Sequence, residues 1–528
     1  MSLASDVRMY ARFAVGLRRF MRERTTLEEA YAIVRRRLAE REQMFLRIVE
    51  RGVYGHPGSP YLPLLKMAGC ELGDVRDMVR TRGVEGTLEA LRDAGVYVTF
   101  DEFKGRLPIV RNGRTFEVSA REFDNPYTRR HFETRTSGST GAGTRILYDL
   151  DHMAAIIVNS SIAKHIQGLE GKPIVAWRPV FPAGAGMAGL LRNARSGDDL
   201  RRWFTPVLPG ELHVSMKYRL ATEYVLATAR LAGMRMHRPE PVRLDQAIVV
   251  ARAAAETVKT DSACLVRAYT SLALRIARAA QDAGLDLTGV TFTGGGEPPT
   301  PAKVRGITES GARFTSSYGM TETGGVAKAC VLPLDQTDVH FCEDMLAMIQ
   351  TPKTLDGSGT VVQALVYTTL LPTAPKLMLN VESDDFGIVE TRSCGCPFDE
   401  LGYPRHIRQI RSFKKLTGEG MTLVGTDMVR VLEEVLPARF GGSPLDYQLR
   451  EEEDERGYTR LTLLVNPRLQ IADEKEIVET LLGSLTQAGA GAEITRAMWA
   501  QAGTVRVRRE EPVWTSTGKL MPFRRSAA

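Results

Sequence analysis

The sequence has 528 residues, with 70 Lys and Arg against 63 Asp and Glu, a formal net charge of +7 and 43% hydrophobic residues. That length predicts two to four domains, and the composition excludes a disordered chain, a collagen and a disulfide-stapled miniature scaffold. No run approaches the ~18 apolar residues of a transmembrane segment, and the arginines are interleaved with acids, which argues against nucleic acid as a partner.

Residues 1–23 are Arg-rich, with Tyr10, Phe13, Leu17 and Phe20 at helical spacing and no secretory apolar core. The preferred reading is a docked or partly frayed helix; a transit peptide or a membrane-surface helix is the alternative. Thr26 and Glu29 have capping-box spacing. Leu27, Tyr31, Val34, Leu38, Phe45 and Ile48 carry the helical period on, with Gly52 as the expected stop. Two short helices are expected at 74–80 and 87–94, split by Gly83 and Gly86. Residues 1–130 thus read as a helical section without evident chemistry. From about Thr134 the texture changes: β-type runs at 173–180, 263–267 and 290–293 alternate with helices at 244–260, 271–283 and 301–310, which predicts a largely parallel sheet. The stretches 359–369 and 376–389 read as more β-rich. After Arg408, a helix at 427–436, a strand at 458–465, a helix at 473–485 and a strand at 504–509 predict a compact α+β module. The expected class is α/β: a large N-terminal domain with parallel-sheet and β-rich subdomains, then a small α+β C-terminal domain. The expected divisions are 1–130, 131–410 and 411–528.

The most informative stretch is Thr136-Ser137-Gly138-Ser139-Thr140-Gly141-Ala142-Gly143-Thr144-Arg145. Its glycines let backbone approach a ligand, and its hydroxyls and successive N–H groups can cradle phosphate oxygens. It lacks the Gly-Lys-Ser/Thr ending of a Walker loop, and taken alone it could equally be a flexible surface loop. Four further motifs follow in order. They are Gly294-Gly295-Gly296-Glu297-Pro298, Ser317-Tyr318-Gly319-Met320-Thr321-Glu322, Asp384-Asp385-Phe386-Gly387 and Thr517-Gly518-Lys519. This ordered set resembles the adenylate-forming superfamily of acyl-CoA synthetases, nonribosomal adenylation domains and luciferases. The helical N-terminal section and the cysteine pattern look most like the phenylacetate-CoA ligase branch.

The resemblance implies an enzyme that joins a carboxylic acid to ATP, releases pyrophosphate, and passes the acyl group to a thiol, coenzyme A first among candidates. Loading of an acyl carrier protein, transfer of AMP or acyl to another acceptor, and an inactive nucleotide-binding scaffold are the alternatives. Ser137, Gly138, Ser139, Thr140, Gly141 and Thr144 would hold the ATP phosphates. Relatives often have Lys where Thr144 stands, so Arg145 or Mg²⁺ would supply the positive charge. Gly294, Gly295 and Gly296 would offer bare backbone to adenine and acyl group, Glu297 would orient that turn, and Tyr318 and Gly319 would face adenine. Thr321 would bind the α-phosphate and Glu322 would ligate Mg²⁺, a hard cation that takes oxygen donors. Asp385 would accept both ribose hydroxyls, with Asp384 the other candidate because Ser383-Asp384 replaces the usual Thr-Gly, and Arg411 would touch ribose. Lys519 would bridge substrate carboxylate and α-phosphate. The C-terminal domain would be a mobile lid, hinged near Phe413 and Lys414.

Six cysteines in so long a chain make no disulfide framework, so a reducing, cytoplasmic setting is expected. Within the resemblance, Cys330, His340, Cys394 and Cys396 would form a structural Zn²⁺ site, as soft tetrahedral ligands do, with Cys342 as a substitute. The alternative is four unligated residues. Cys70 and Cys264 read as core thiols. An acyl pocket would draw on Tyr269, Ser271, Phe181 and Trp177, and the small residues 183–189 suggest room for a bulky or long acyl group, with no positioned charge. Oligomeric state is left open.

Overall fold

The computed structural model describes residues 3–129, 131–135, 145–179, 184–206, 216–231, 233, 237–354, 361–413, 415–418, 421–424, 431–484, 490–513 and 522–525. The first helix, Leu3–Arg22, buries Phe13, Leu17, Phe20 and Met21 in the main core. Phe13 meets the Phe132 ring edge-on at 5.3 Å, and Arg195 donates to the Phe20 carbonyl at 2.7 Å. Four large apolar side chains, each contributing about 1.5–3 kcal/mol on burial, dock this helix onto the protein. The Thr26–Glu29 capping box forms and opens helix Leu27–Ala39. The expected single helix does not continue: it breaks at Glu40, resumes as Arg41–Ile48, and widens into π-helical turns over Val49–Tyr54 that pass through Gly52. Of the two expected glycine breaks further on, only Gly83 (φ 68°) interrupts Leu72–Asp93.

Six short strands form an all-parallel sheet in the order Arg313–Thr315, Val290–Thr293, Cys264–Arg267, Ile174–Trp177, Leu200–Thr205, Glu240–Pro241. Ile174–Trp177 is buried at every position, as a strand covered on both faces must be. Its side chains alternate between two cores. Ile174 and Ala176 point to the main core shared with helices Leu150–Ile166 and Gly184–Ser196. Val175 and Trp177 point to a second core under Ala247–Asp261 and Thr270–Asp282.

A seven-stranded antiparallel sheet follows, in the order Ser317–Met320, Gly324–Ala329, Val339–Phe341, Arg405–Ser412, Val381–Thr391, Val361–Thr369, Leu346–Thr354. The C-terminal unit is a four-stranded sheet, Val505–Arg508, Thr459–Val465, Tyr447–Glu453, Phe523–Arg525, packed on helices Glu474–Ser484 and Ala490–Ala502 around Leu449, Leu463, Leu481 and Trp499. Helix is described there over 431–440; residues 427–430 of the expected 427–436 lie outside the described residues. This α/β architecture, with a parallel sheet, a β-rich sheet and a small α+β C-terminal unit, is the class the sequence predicts. No helix among the described residues is long and apolar enough to cross a membrane.

The C-terminal unit rests on the helices of the second core. Lys303, 2% exposed, donates to Glu297 at 3.1 Å and across the boundary to the Thr459 hydroxyl at 2.9 Å. Thr300 donates to Glu453 at 2.6 Å, and Arg275 lies over the Tyr458 ring at 4.6 Å.

Candidate active site

Strand Val381–Thr391 pairs with Arg405–Ser412 so that Asp385 stands opposite Ser412. Tyr318, on the sheet's edge strand, donates its hydroxyl to one Asp385 oxygen at 2.6 Å, and Ser412 donates to the other. Burial first, and then the Asp385 charge, hold the Tyr318 phenol well above its usual range, so it stays a donor. These residues, with Gly296, Gly319 and Arg411, line a cleft of about 160 Å³. Asp384 does not line it: its backbone turns through φ 66° and its carbonyl accepts from Phe413 N–H at 2.8 Å. The cleft thus faces Asp385.

The glycine-rich turn after Val290–Thr293 is shaped by packing. A side chain on Gly294 would put its Cβ 2.5 Å from the Phe314 ring. Glu297 pins the turn: one carboxylate oxygen accepts from Ser271 N–H at 2.7 Å, and the other from Ser271 Oγ at 2.6 Å and Lys303 Nζ at 3.1 Å. Ser271 is therefore engaged in holding Glu297, and Tyr269 is buried beneath.

Thr321 and Glu322 sit in the turn between Ser317–Met320 and Gly324–Ala329. Glu322 is 8% exposed and forms an ion pair with Lys104. Lys104 lies over the rings of Phe100 and Phe103 at 5.2 and 5.6 Å. Lys104 follows the short helix Phe100–Phe103, in the section read as lacking chemistry. One lysine after a four-residue helix carries no signal, and only the fold brings it to Glu322, 218 positions away.

The hairpin Phe132–Arg135 and Arg145–Tyr148 brackets the Ser/Thr/Gly loop, with Arg135 opposite Arg145. Ser137, Gly138, Ser139, Thr140, Gly141 and Thr144 lie outside the described residues, as do Phe181, Lys414 and Lys519. Phe413 packs on Phe386 with ring centroids 5.0 Å apart.

Cys330, His340, Cys394 and Cys396 converge, with their donor atoms within 4.8 Å of one another. Gly395, at φ 73°, allows the tight turn that aims both flanking thiols at one point. A tetrahedral zinc with Zn–S of about 2.3 Å and Zn–N of about 2.0 Å implies sulfur–sulfur edges of about 3.8 Å and sulfur–nitrogen edges of about 3.5 Å. The Cys330–Cys394 separation is 3.8 Å, and His340 Nε2 lies 3.6 Å from Cys394 and 3.0 Å from Cys396. His340 Nδ1 is 2.7 Å from the Tyr403 carbonyl, which fixes the proton there and frees Nε2 as a ligand. The Cys330 thiol and then His340 pull the Cys396 thiol down, so thiolate character gathers on Cys396. The donor set fits zinc. Cys342 is buried apart from the four, its thiol pushed up to about 12 by burial, and Cys264 is a buried strand thiol. His406, which the sequence did not single out, stands opposite His340 with its Nδ1 2.7 Å from Asp338.

No family model and no curated protein matches the sequence. Among solved structures, 2-hydroxyisobutyryl-CoA ligase in complex with 2-HIB-AMP and CoA, in its thioesterification state, aligns over 96% of this chain and 91% of its own at 16% identity, with a TM-score of 0.52. The chain shares the fold of that ligase. The acyl-CoA synthetase (AMP-forming)/AMP-acid ligase II-like protein of Dyadobacter fermentans DSM 18053 aligns over 74% of this chain and 87% of its own, at 16% identity and a TM-score of 0.30. An NRPS protein containing adenylation and PCP domains aligns over 73% and 67%, at 14% identity and a TM-score of 0.39. In this fold, the Tyr318–Asp385 cleft, the Glu297 turn and the Cys/His cluster all border the seven-stranded sheet or its junction with the parallel one.

Proposed function

We propose that the protein activates a carboxylic acid as its acyl-adenylate, with release of pyrophosphate, and transfers the acyl group to the thiol of coenzyme A. The observation that carries this reading is the cleft joining Gly296, Tyr318, Asp385 and Arg411. A carboxylate backed by a phenol and a serine hydroxyl, beside an arginine and bare backbone, suits a nucleoside's ribose and base. In this reading Tyr318 presents its face to adenine and Asp385 accepts from the ribose hydroxyls. Glu322 is the oxygen donor for Mg²⁺, with Lys104 the charge it exchanges. The loop at 136–144 cradles phosphates. The C-terminal unit acts as the lid, hinged at Phe413 and Lys414, and Zn²⁺ on the four Cys/His donors braces the sheet without entering the chemistry. A hydroxamate-trapping screen of carboxylic acids with ATP tests adenylation whatever the acceptor. Coenzyme A and carrier-protein substrates then separate the acceptors, and failure to activate any acid in a broad panel would remove the reading.

Asp385 and Glu322 are expected to fail differently. Asp385→Ala removes a charged hydrogen-bond partner present in ground and transition states alike, a loss of about 1.5–3 kcal/mol. It should raise KM for ATP roughly ten- to a hundred-fold with a smaller change in kcat. Glu322→Gln should chiefly lower kcat, because its charge matters most as charge develops on the transferring group. Asp384→Asn should leave KM unchanged; if it raised KM and Asp385→Ala did not, the ribose contact is assigned to the wrong residue.

A further inference from the structure

Behind the nucleotide cleft lies a second cavity, of about 150 Å³. Ser316 and Ser317 line both, so the two meet where the edge strand begins. The second cavity runs along the main-core face of the parallel sheet, from Asp198 and Leu200 at the amino end of one strand to Arg267, Thr293 and Thr315 at the carboxyl ends of others. Its other walls come from the C-terminal half of helix Leu150–Ile166 and from Gly184–Ser196.

Five cations face it, Lys164, Arg178, Arg192, Arg267 and Lys328, and among the described residues lining it the one carboxylate is Asp198. Asp198 is already engaged, by Lys164 at 2.5 Å and Arg267 at 3.3 Å. Arg178 and Lys328 have no carboxylate partner among the described residues. Arg178 donates to the Ala268 carbonyl at 3.0 Å and lies over the Tyr269 ring at 4.8 Å. Lys328 donates to the Ser160 hydroxyl at 3.2 Å. Asp344, whose charge reaches Lys328, is paired with Arg37 at 3.1 Å. Burial first, then repulsion from neighbouring arginines, holds both groups below their usual range. Half-buried cations without counter-ions carry a desolvation cost that an anion joining them offsets.

Resting on the acid-adenylation reading, we propose that the acid activated here is a dicarboxylic acid, its distal carboxylate drawn into the cavity by the charge of Arg178 and Lys328 while the reacting carboxylate lies at Ser316–Ser317 beside the nucleotide. The expected bulky, uncharged acyl group is replaced by this reading. Gly189, in the small-residue run, does line the cavity, but the facing cations set its chemistry.

The test compares dicarboxylic acids of three to eight carbons with matched monocarboxylic acids, using pyrophosphate release from ATP and Mg²⁺. A dicarboxylate should exceed its monocarboxylate partner in kcat/KM by about tenfold or more, and Arg178→Gln or Lys328→Met should each cut that ratio roughly ten- to a hundred-fold. Equal use of both acid classes by the wild type overturns the proposal and leaves adenylation standing. So does a raised KM for coenzyme A with the acid ratio unchanged, which would assign the cations to that co-substrate's phosphates. A binding readout needs no turnover: dicarboxylates, without ATP, should raise the wild-type melting temperature and not that of Lys328→Met. If no acid is activated, the adenylation reading falls, and this arm alone decides whether the cavity takes a dicarboxylate. Absence of stabilisation overturns it.

Discussion

Cys396→Ser is expected to release about one zinc ion per chain and to lower the melting temperature by roughly 5–10 °C, with activity at low temperature affected less. The direction follows from where the four donors sit. His340 is in the middle of strand Val339–Phe341, Cys330 directly follows Gly324–Ala329, and Cys394 and Cys396 lie in the turn after Val381–Thr391. An ion there ties three separate segments of one sheet, and the energy of binding is energy of folding. Loss of a metal belongs to the few mechanisms that exceed about 4 kcal/mol, and at about 2 °C per kcal/mol for larger domains the shift falls in the stated range. Cys342→Ser, also a buried thiol but outside the cluster, separates metal loss from core damage, since it should keep its zinc. Metal analysis that finds no zinc in protein made in zinc-replete medium would sink the assignment. Zinc retained by the Cys396→Ser variant would remove Cys396 from the ligand set.

Caps and short β-type runs survive into the structure because they depend on near neighbours, whereas contacts set by sheet register carry no local signal. The strand at 290–293 has the expected bounds, because four β-type residues sit between a turn and a glycine run. The Thr26 cap forms because a capping box is a contact between residues three apart. The pairing of Tyr318 with Asp385 joins two motifs that were legible one by one, yet their contact depends on sheet register. The break at Glu40 has no glycine or proline to announce it, and Gly52, an apparent stop, lies inside helical turns. Helix Ala490–Ala502 opens on a run of Ala and Gly that shows little apolar period, so its start carries no signal. The cationic cavity has no local signature: Lys164, Arg178, Arg192, Arg267 and Lys328 come from five segments, and each looks like an ordinary surface charge until the fold gathers them.

Lys519→Ala is expected to reduce acid-dependent pyrophosphate release by a hundredfold or more, while thioester formation from a supplied acyl-adenylate persists. Two anions must meet in the first step, a carboxylate and the α-phosphate, and a positioned cation stabilises the charge that develops between them. Removing one such group typically costs about 10²–10³ in rate. Lys519 lies outside the described residues, but both ends of its segment are held to neighbouring positions of one strand. Val513 exchanges two hydrogen bonds with the Gln448 side chain, at 2.9 and 3.0 Å, and the Pro522 carbonyl accepts from Leu449 N–H at 2.8 Å. In the lid reading, contacts that dock the C-terminal sheet, such as Lys303 to Thr459, bear on the balance of the two half-reactions. If the lid reading holds, Thr459→Val should shift the ratio of the two half-reactions without touching any reacting atom. Lys519→Arg should recover little, since a planar fork does not replace a compact ammonium. Full pyrophosphate release by Lys519→Ala would show that the charge at the α-phosphate comes from another residue.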